Sequence, residues 1–92
     1  MNHFPLAPVA VGGDRSPVPD HAWSGISTRL NLTDRETAIV RGLFQRMNEE
    51  AIGSALGISH HTVHTHLNRV YRKLKVQSRA DLFLRVVKEY MR

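Results

Sequence analysis

Between Leu32 and Tyr90 the apolar residues recur at intervals of three and four, in four short blocks, each opening on a helix-capping residue. A stripe with that period is buried only by packing against other helices, which excludes a sheet-based core. Thr33 followed by Glu36 makes a capping box: the hydroxyl accepts from a free amide and the carboxylate reaches back. The helix behind it is predicted over about Asp34 to Met47, with Ile39, Val40, Leu43, Phe44 and Met47 on its apolar face. Asn48 caps a short second helix through Ala51, Ile52, Ala55 and Leu56, and Gly57 ends it. Glycine is suited to that place because it enters the left-handed region at little cost. Ser59 caps a third helix with Val63, Leu67, Val70 and Leu74 as its buried stripe. Ser78 and Asp81 repeat the capping-box spacing ahead of a fourth, which carries Leu82, Phe83, Val86, Val87 and Tyr90. The expectation is an all-α fold: a compact, four-helix, bundle-like helix-turn-helix domain over residues 31–92.

Residues 1–30 follow other rules. All four prolines (Pro5, Pro8, Pro17 and Pro19) lie here, with Gly12, Gly13 and Gly25 as further breaks. No helical or strand period survives, so this stretch is predicted to be a mostly disordered arm. Trp23 and Ile26 stand out within it. They are expected to dock loosely on the neighbouring domain, the alternative being a partner-binding motif.

The charge is uneven along the chain. The formal +5 comes from residues 32–92, and His60 to Arg79 holds Arg69, Arg72, Lys73, Lys75 and Arg79 with no acid. Such a block suits a polyanion, although RNA, acidic proteins and anionic membranes would attract the same charge. The chain has no cysteine, which excludes disulfides and thiolate metal sites and fits a reducing cytoplasm. No apolar run is long enough for a membrane span, and the N-terminus lacks the basic-then-apolar start of a secretory signal. A cytoplasmic protein without a membrane partner is expected.

The helices flanking Gly57 have the proportions of a helix-turn-helix: a short helix, a tight turn and a longer helix. In that arrangement the second helix enters the major groove and presents side chains near its N-terminus. Those side chains would be His60, His61, Thr62, His64, Thr65 and Asn68, with Arg69, Arg72 and Lys73 behind them for phosphates.

Three ordered motifs sharpen this reading: Leu32-Thr33-x-Arg35-Glu36, then Leu56-Gly57-Ile58-Ser59-x-x-Thr62-Val63-x-x-His66-Leu67, then Lys73-Leu74-x-Val76-x-Ser78-Arg79. Together they resemble the LuxR/FixJ-type (GerE-type) DNA-binding domain over about 50 of the 92 residues. The resemblance implies a four-helix domain that binds DNA as a dimer, with the fourth helix as the dimer contact. Carried over by position, it implies base contacts at His64, Thr65 and Asn68. Backbone contacts are expected at Ser59, His60, His61, Thr62, Arg69, Arg72 and Lys73, and dimer contacts at Leu82, Val86 and Tyr90. Val63 and Leu67 fall on buried positions, His66 on a packing or phosphate-proximal one, and Glu36 and Arg79 are expected to form a structural ion pair. Three positions depart from the family pattern: His64 replaces the usual Lys after Thr-Val, Arg46 the usual Gly between the first two helices, and Ala51 the usual Glu.

Other chemistries fit less well. His60 and His64 share a helical face, as two zinc ligands can, but the helix offers no acidic third ligand and the chain no cysteine. Neither a metal nor a cofactor is expected. No phosphate loop or nucleophile-base constellation occurs, so an enzyme is not expected. Imidazoles in a phosphate-rich groove make DNA binding that tightens at lower pH an expectation. The sequence therefore reads as a stand-alone transcription regulator that binds double-stranded DNA as a homodimer, with a larger LuxR-type regulator or RNA polymerase as further partners. The first 31 residues are too few and too proline-rich for a receiver or ligand-binding domain. The rival reading is an interaction module that pairs with a larger LuxR-type regulator and inhibits or modulates it.

Overall fold

The computed structural model describes residues 16–92 and contains five α-helices: α1 Trp23–Leu30, α2 Asp34–Phe44, α3 Glu49–Leu56, α4 His60–Leu74 and α5 Arg79–Tyr90. A 3-10 turn, Asp20–Ala22, leads into α1, and no strand occurs among the described residues. The all-α expectation is met, and α2 to α5 are the four helices read from the sequence.

The caps fall where the sequence placed them. Thr33 Oγ1 accepts from the Glu36 amide at 3.0 Å, and Glu36 Oε1 accepts from the Thr33 amide at 2.9 Å. Asn48 accepts from the Ala51 amide, Ser59 from the Thr62 amide and Ser78 from the Asp81 amide. Each bond satisfies one of the amides that a helix start leaves without an internal partner.

The helix ends share one geometry. After α1 to α4 the chain passes through a single left-handed residue: Asn31 (φ 60°), Arg46 (φ 66°), Gly57 (φ 73°) and Lys75 (φ 58°). Around each, two amides bond back in the Schellman pattern, as in Met47 N to Gly42 O and Arg46 N to Leu43 O, both 3.0 Å. Arg46 in this conformation is why α2 stops at Phe44, short of the predicted Met47.

The N-terminal expectation is corrected for the described residues. Residues 16–30 are ordered structure: Val18, Trp23, Ile26 and Leu30 are all buried, three of them completely or nearly so. The prolines precede the helix without interrupting it, and Trp23, Ile26 and Leu30 recur at helical spacing to give α1 an apolar face. Trp23 meets Phe44 of α2 edge-to-face at 5.3 Å, and Phe44 meets Phe83 of α5 at 4.4 Å. Burial of a side chain this large is worth about 1.5–3 kcal/mol, which loose docking does not describe. Polar clamps close the edges. Arg41 of α2 pairs with Asp20 and lies over the Trp23 ring at 5.8 Å, while Arg29 of α1 meets Glu89 of α5 at 2.8 Å. The arm expected over residues 1–15 lies outside the described residues.

Candidate nucleic-acid interface

The site begins with the way α3 seats α4. Ile52 of α3 is buried, as are Val63, Leu67, Val70 and Leu74 on the inner stripe of α4. Between the two helices, Gly53 approaches the turn so closely that a Cβ there would sit 2.6 Å from the Ile58 carbonyl oxygen. The turn is therefore held against α3 by backbone contact, and this sets the angle at which α4 leaves. Sequence reasoning missed Gly53. Its signal was a glycine inside a helical pattern, which weakens the helix unless packing requires it.

With its inner stripe buried, α4 has three other aspects, fixed by its 3.6-residue turn. Directly opposite the core stand His61, Thr65, Asn68 and Arg72, at i, i+4, i+7 and i+11. His61, Thr65 and Arg72 are exposed and Asn68 is half-buried. One flank, toward α3, carries His60 and His64. There His64 Nδ1 lies 3.4 Å from Glu49 Oε2, and the His60 and His61 rings are 4.2 Å apart. The other flank, toward α2, carries Thr62, His66, Arg69 and Lys73. Three hydroxyls are already engaged. Ser59 and Thr62 share a 3.0 Å bond at the helix start, and Thr65 donates to the His61 carbonyl at 3.1 Å.

Three sequence assignments change. Lys73 was expected on DNA phosphates. Instead its ammonium donates to Glu36 Oε1 at 2.7 Å and to the Asn31 carbonyl at 2.8 Å. It lies on the α2-facing flank, where the buried Glu36 carboxylate requires a cation. Glu36 therefore pairs with Lys73, and the expected Arg79 partner is an exposed residue at the start of α5. Burial raises the Glu36 pKa, but hydrogen bonds from Lys73 and the Thr33 amide, the Lys73 charge and the Thr33 hydroxyl together outweigh it. The carboxyl is held below its ordinary value of 4.5. Leu82 and Val86, expected at a dimer contact, are both 0 % exposed because they belong to the core, where α5 packs against α1 and α4. The exposed large apolar residues here are Leu84 and Tyr90 of α5 and Met91 just after it, at 68 %, 38 % and 74 % exposure, with Leu84 and Met91 on one side of the helix.

No group of three or more His, Cys, Asp or Glu among the described residues could hold a metal. No helix among them is long and apolar enough to cross a membrane.

A bracing helix, a glycine turn held by backbone contact and a second helix with an unburied polar and basic face define a helix-turn-helix domain. Residues 30–86 match the bacterial regulatory proteins of the luxR family (GerE), and the chain belongs to that family. A protein of Aeromonas salmonicida named "Putative HTH-type transcriptional regulator in exeN 3'region" is 39 % identical over 77 residues. That stretch is 84 % of this chain, enough to include α1, and 31 % of the relative, so the chain spans about a third of the relative's length. No solved structure matches the chain.

Proposed function

We propose that this chain is a sequence-specific transcription regulator that binds double-stranded DNA as a homodimer, reading bases with His64, Thr65 and Asn68 from α4. The observation that carries the reading is the outer face of α4. His61, Thr65, Asn68 and Arg72 form one stripe opposite the core, with His64 and Arg69 exposed beside it. Ser59, His60, His61 and Thr62 at the helix start, with Arg69 and Arg72 behind, are placed to contact the flanking backbone. Lys73 acts indirectly, by fixing α4 to α2. Family membership and the relative's printed name support the same reading. Dimerisation is assigned to the outer side of α5, with Leu84 and Met91 as its central contacts and Tyr90 at its border. Exposed apolar side chains of that kind on a small domain suit a self-complementary pair.

The test is fluorescence anisotropy with the protein's own upstream DNA and with a scrambled duplex of equal length, at two salt concentrations. Tighter binding to the upstream duplex is expected, with log K falling by about 0.9 for each phosphate contact per unit of log salt. Equal affinity for both would remove sequence specificity at this site. A folded protein that binds neither would refute the reading and leave α5 as a surface for pairing with a larger relative.

A further inference from the structure

We propose that Glu49 is a specificity-determining positioning residue: by holding Nδ1 of His64 it leaves Nε2 as the nitrogen that meets a base, and this rests on the reading of α4 as the recognition helix. Glu49 is the first residue of α3, on a turn fixed by the Asn48 side chain, which accepts from the Ala51 amide at 2.8 Å. Its carboxylate is 28 % exposed and lies 3.4 Å from the His64 ring nitrogen, while His64 itself is 60 % exposed. The two residues are 15 apart in sequence, and the turn at Gly57 brings them together.

The chemistry follows from the two ring nitrogens. An ionised carboxylate only accepts, so Nδ1 faces Glu49 as an N–H whether the ring is neutral or protonated. On a neutral ring, Nε2 is then an acceptor, suited to the exocyclic amino group of adenine or cytosine in the major groove. When the ring takes up a second proton from solvent, Nε2 becomes a donor, suited to acceptor edges and above all to guanine N7 and O6. A lysine at this position would offer donors only. Glu49 thus fixes which kind of base edge each protonation state of His64 can read.

The other charged and titratable groups near α4 are distributed so that Glu49 is the one paired with this ring. From α3, Glu50 is exposed beside Glu49. From α2, Glu36 faces α4 at its far end and is occupied by Lys73. From α5, Arg85 donates to the Leu74 carbonyl, also at the far end. On α4 itself, His60 and His61 lie one turn earlier with their rings together, Arg69 is on the opposite flank, and half-buried His66 points to that flank as well.

The experiment selects bound duplexes from a pool with a randomised centre, at about pH 8 and about pH 6, across the histidine range. It uses the full chain as wild type, Glu49→Ala, Glu49→Gln, His64→Ala and the His60→Gln/His61→Gln double variant. At one position of the selected site, wild type should favour adenine or cytosine at the higher pH. Guanine should rise there at the lower pH, by on the order of 10-fold. His64→Ala should abolish that change and Glu49→Ala should reduce it to within about 2-fold. Glu49→Gln, whose amide oxygen still accepts from Nδ1–H, should restore it, and the double variant should retain it. The same base at both pH values in wild type, or a full change in Glu49→Ala, would overturn the role of Glu49 while leaving the recognition helix standing. A folded protein that recovers no sequence preference at either pH would overturn both.

Discussion

Replacing Arg46 by glycine should make the domain more stable, although it removes a side chain and adds none. Arg46 sits at φ 66° between α2 and α3, in the motif formed by the Met47 and Arg46 amides. An L-residue in the left-handed region carries a cost of about 1–2 kcal/mol, because its Cβ crowds the following carbonyl. Glycine avoids that cost but gives back about 0.5–1 kcal/mol through the greater freedom of its unfolded chain. The net gain is about 0.5–1 kcal/mol, and for a domain of this size each kcal/mol moves Tm by about 4–8 °C. Thermal unfolding followed by circular dichroism should therefore show Arg46→Gly melting about 2–8 °C above wild type. Arg46→Ala is the control: it loses the same charge but keeps a Cβ in the left-handed region, so it should show no such rise. An equal gain from alanine would trace the effect to charge, and an unchanged or lower Tm for glycine would refute the strain argument.

Three further outcomes follow from the packing and the ion pairs. Trp23→Ala, which empties the contact with Phe44, should cost about 3–5 kcal/mol in urea unfolding; a cost under about 1 kcal/mol would mean that α1 is only loosely docked. Gly53→Val should abolish specific DNA binding and lower Tm by more than about 8 °C, because the turn at Ile58 has no space for the added carbons; wild-type affinity in a folded variant would show that this close approach does not set α4. Glu36→Gln should cost about 1–2 kcal/mol at neutral pH by removing the charge that Lys73 pairs with. Because the folded carboxyl is held below 4.5, its contribution is complete above the unfolded value and is lost as pH falls through the folded one. The gap between wild type and Glu36→Gln, followed by denaturation across pH, should therefore narrow as pH falls below the unfolded carboxylate value and close once the folded carboxyl is protonated; a gap that did not narrow in acid would point to shape rather than charge.

Most of the fold was legible in local chemistry. Capping residues and a three-to-four apolar rhythm are properties of single helices, so Thr33, Asn48, Ser59 and Ser78 marked their starts and Gly57 marked the turn. The inner stripe of α4 and the outward polar face it implies were readable for the same reason. α1 was legible in principle, from Trp23, Ile26 and Leu30, but the prolines before it obscured a helix that begins just after them. Its stability depends on Phe44 and Phe83, which belong to other helices, and no local signal reports that.

What the tertiary structure alone decided is which side chains remain available. By itself the sequence determined α2 to α5, the turn at Gly57 and the place of α4 behind it, because each rests on interactions within a few residues. It did not determine that Lys73 would be drawn to Glu36 and Asn31, because a buried carboxylate selects its cation by distance in space. Nor could it show that Leu82 and Val86 lie beneath α1, leaving Leu84 and Met91 outside, since an apolar stripe looks the same whether a core or a partner covers it. The approach of Glu49 to His64 is of the same kind: the two residues meet because Gly53 lets the turn close against α3.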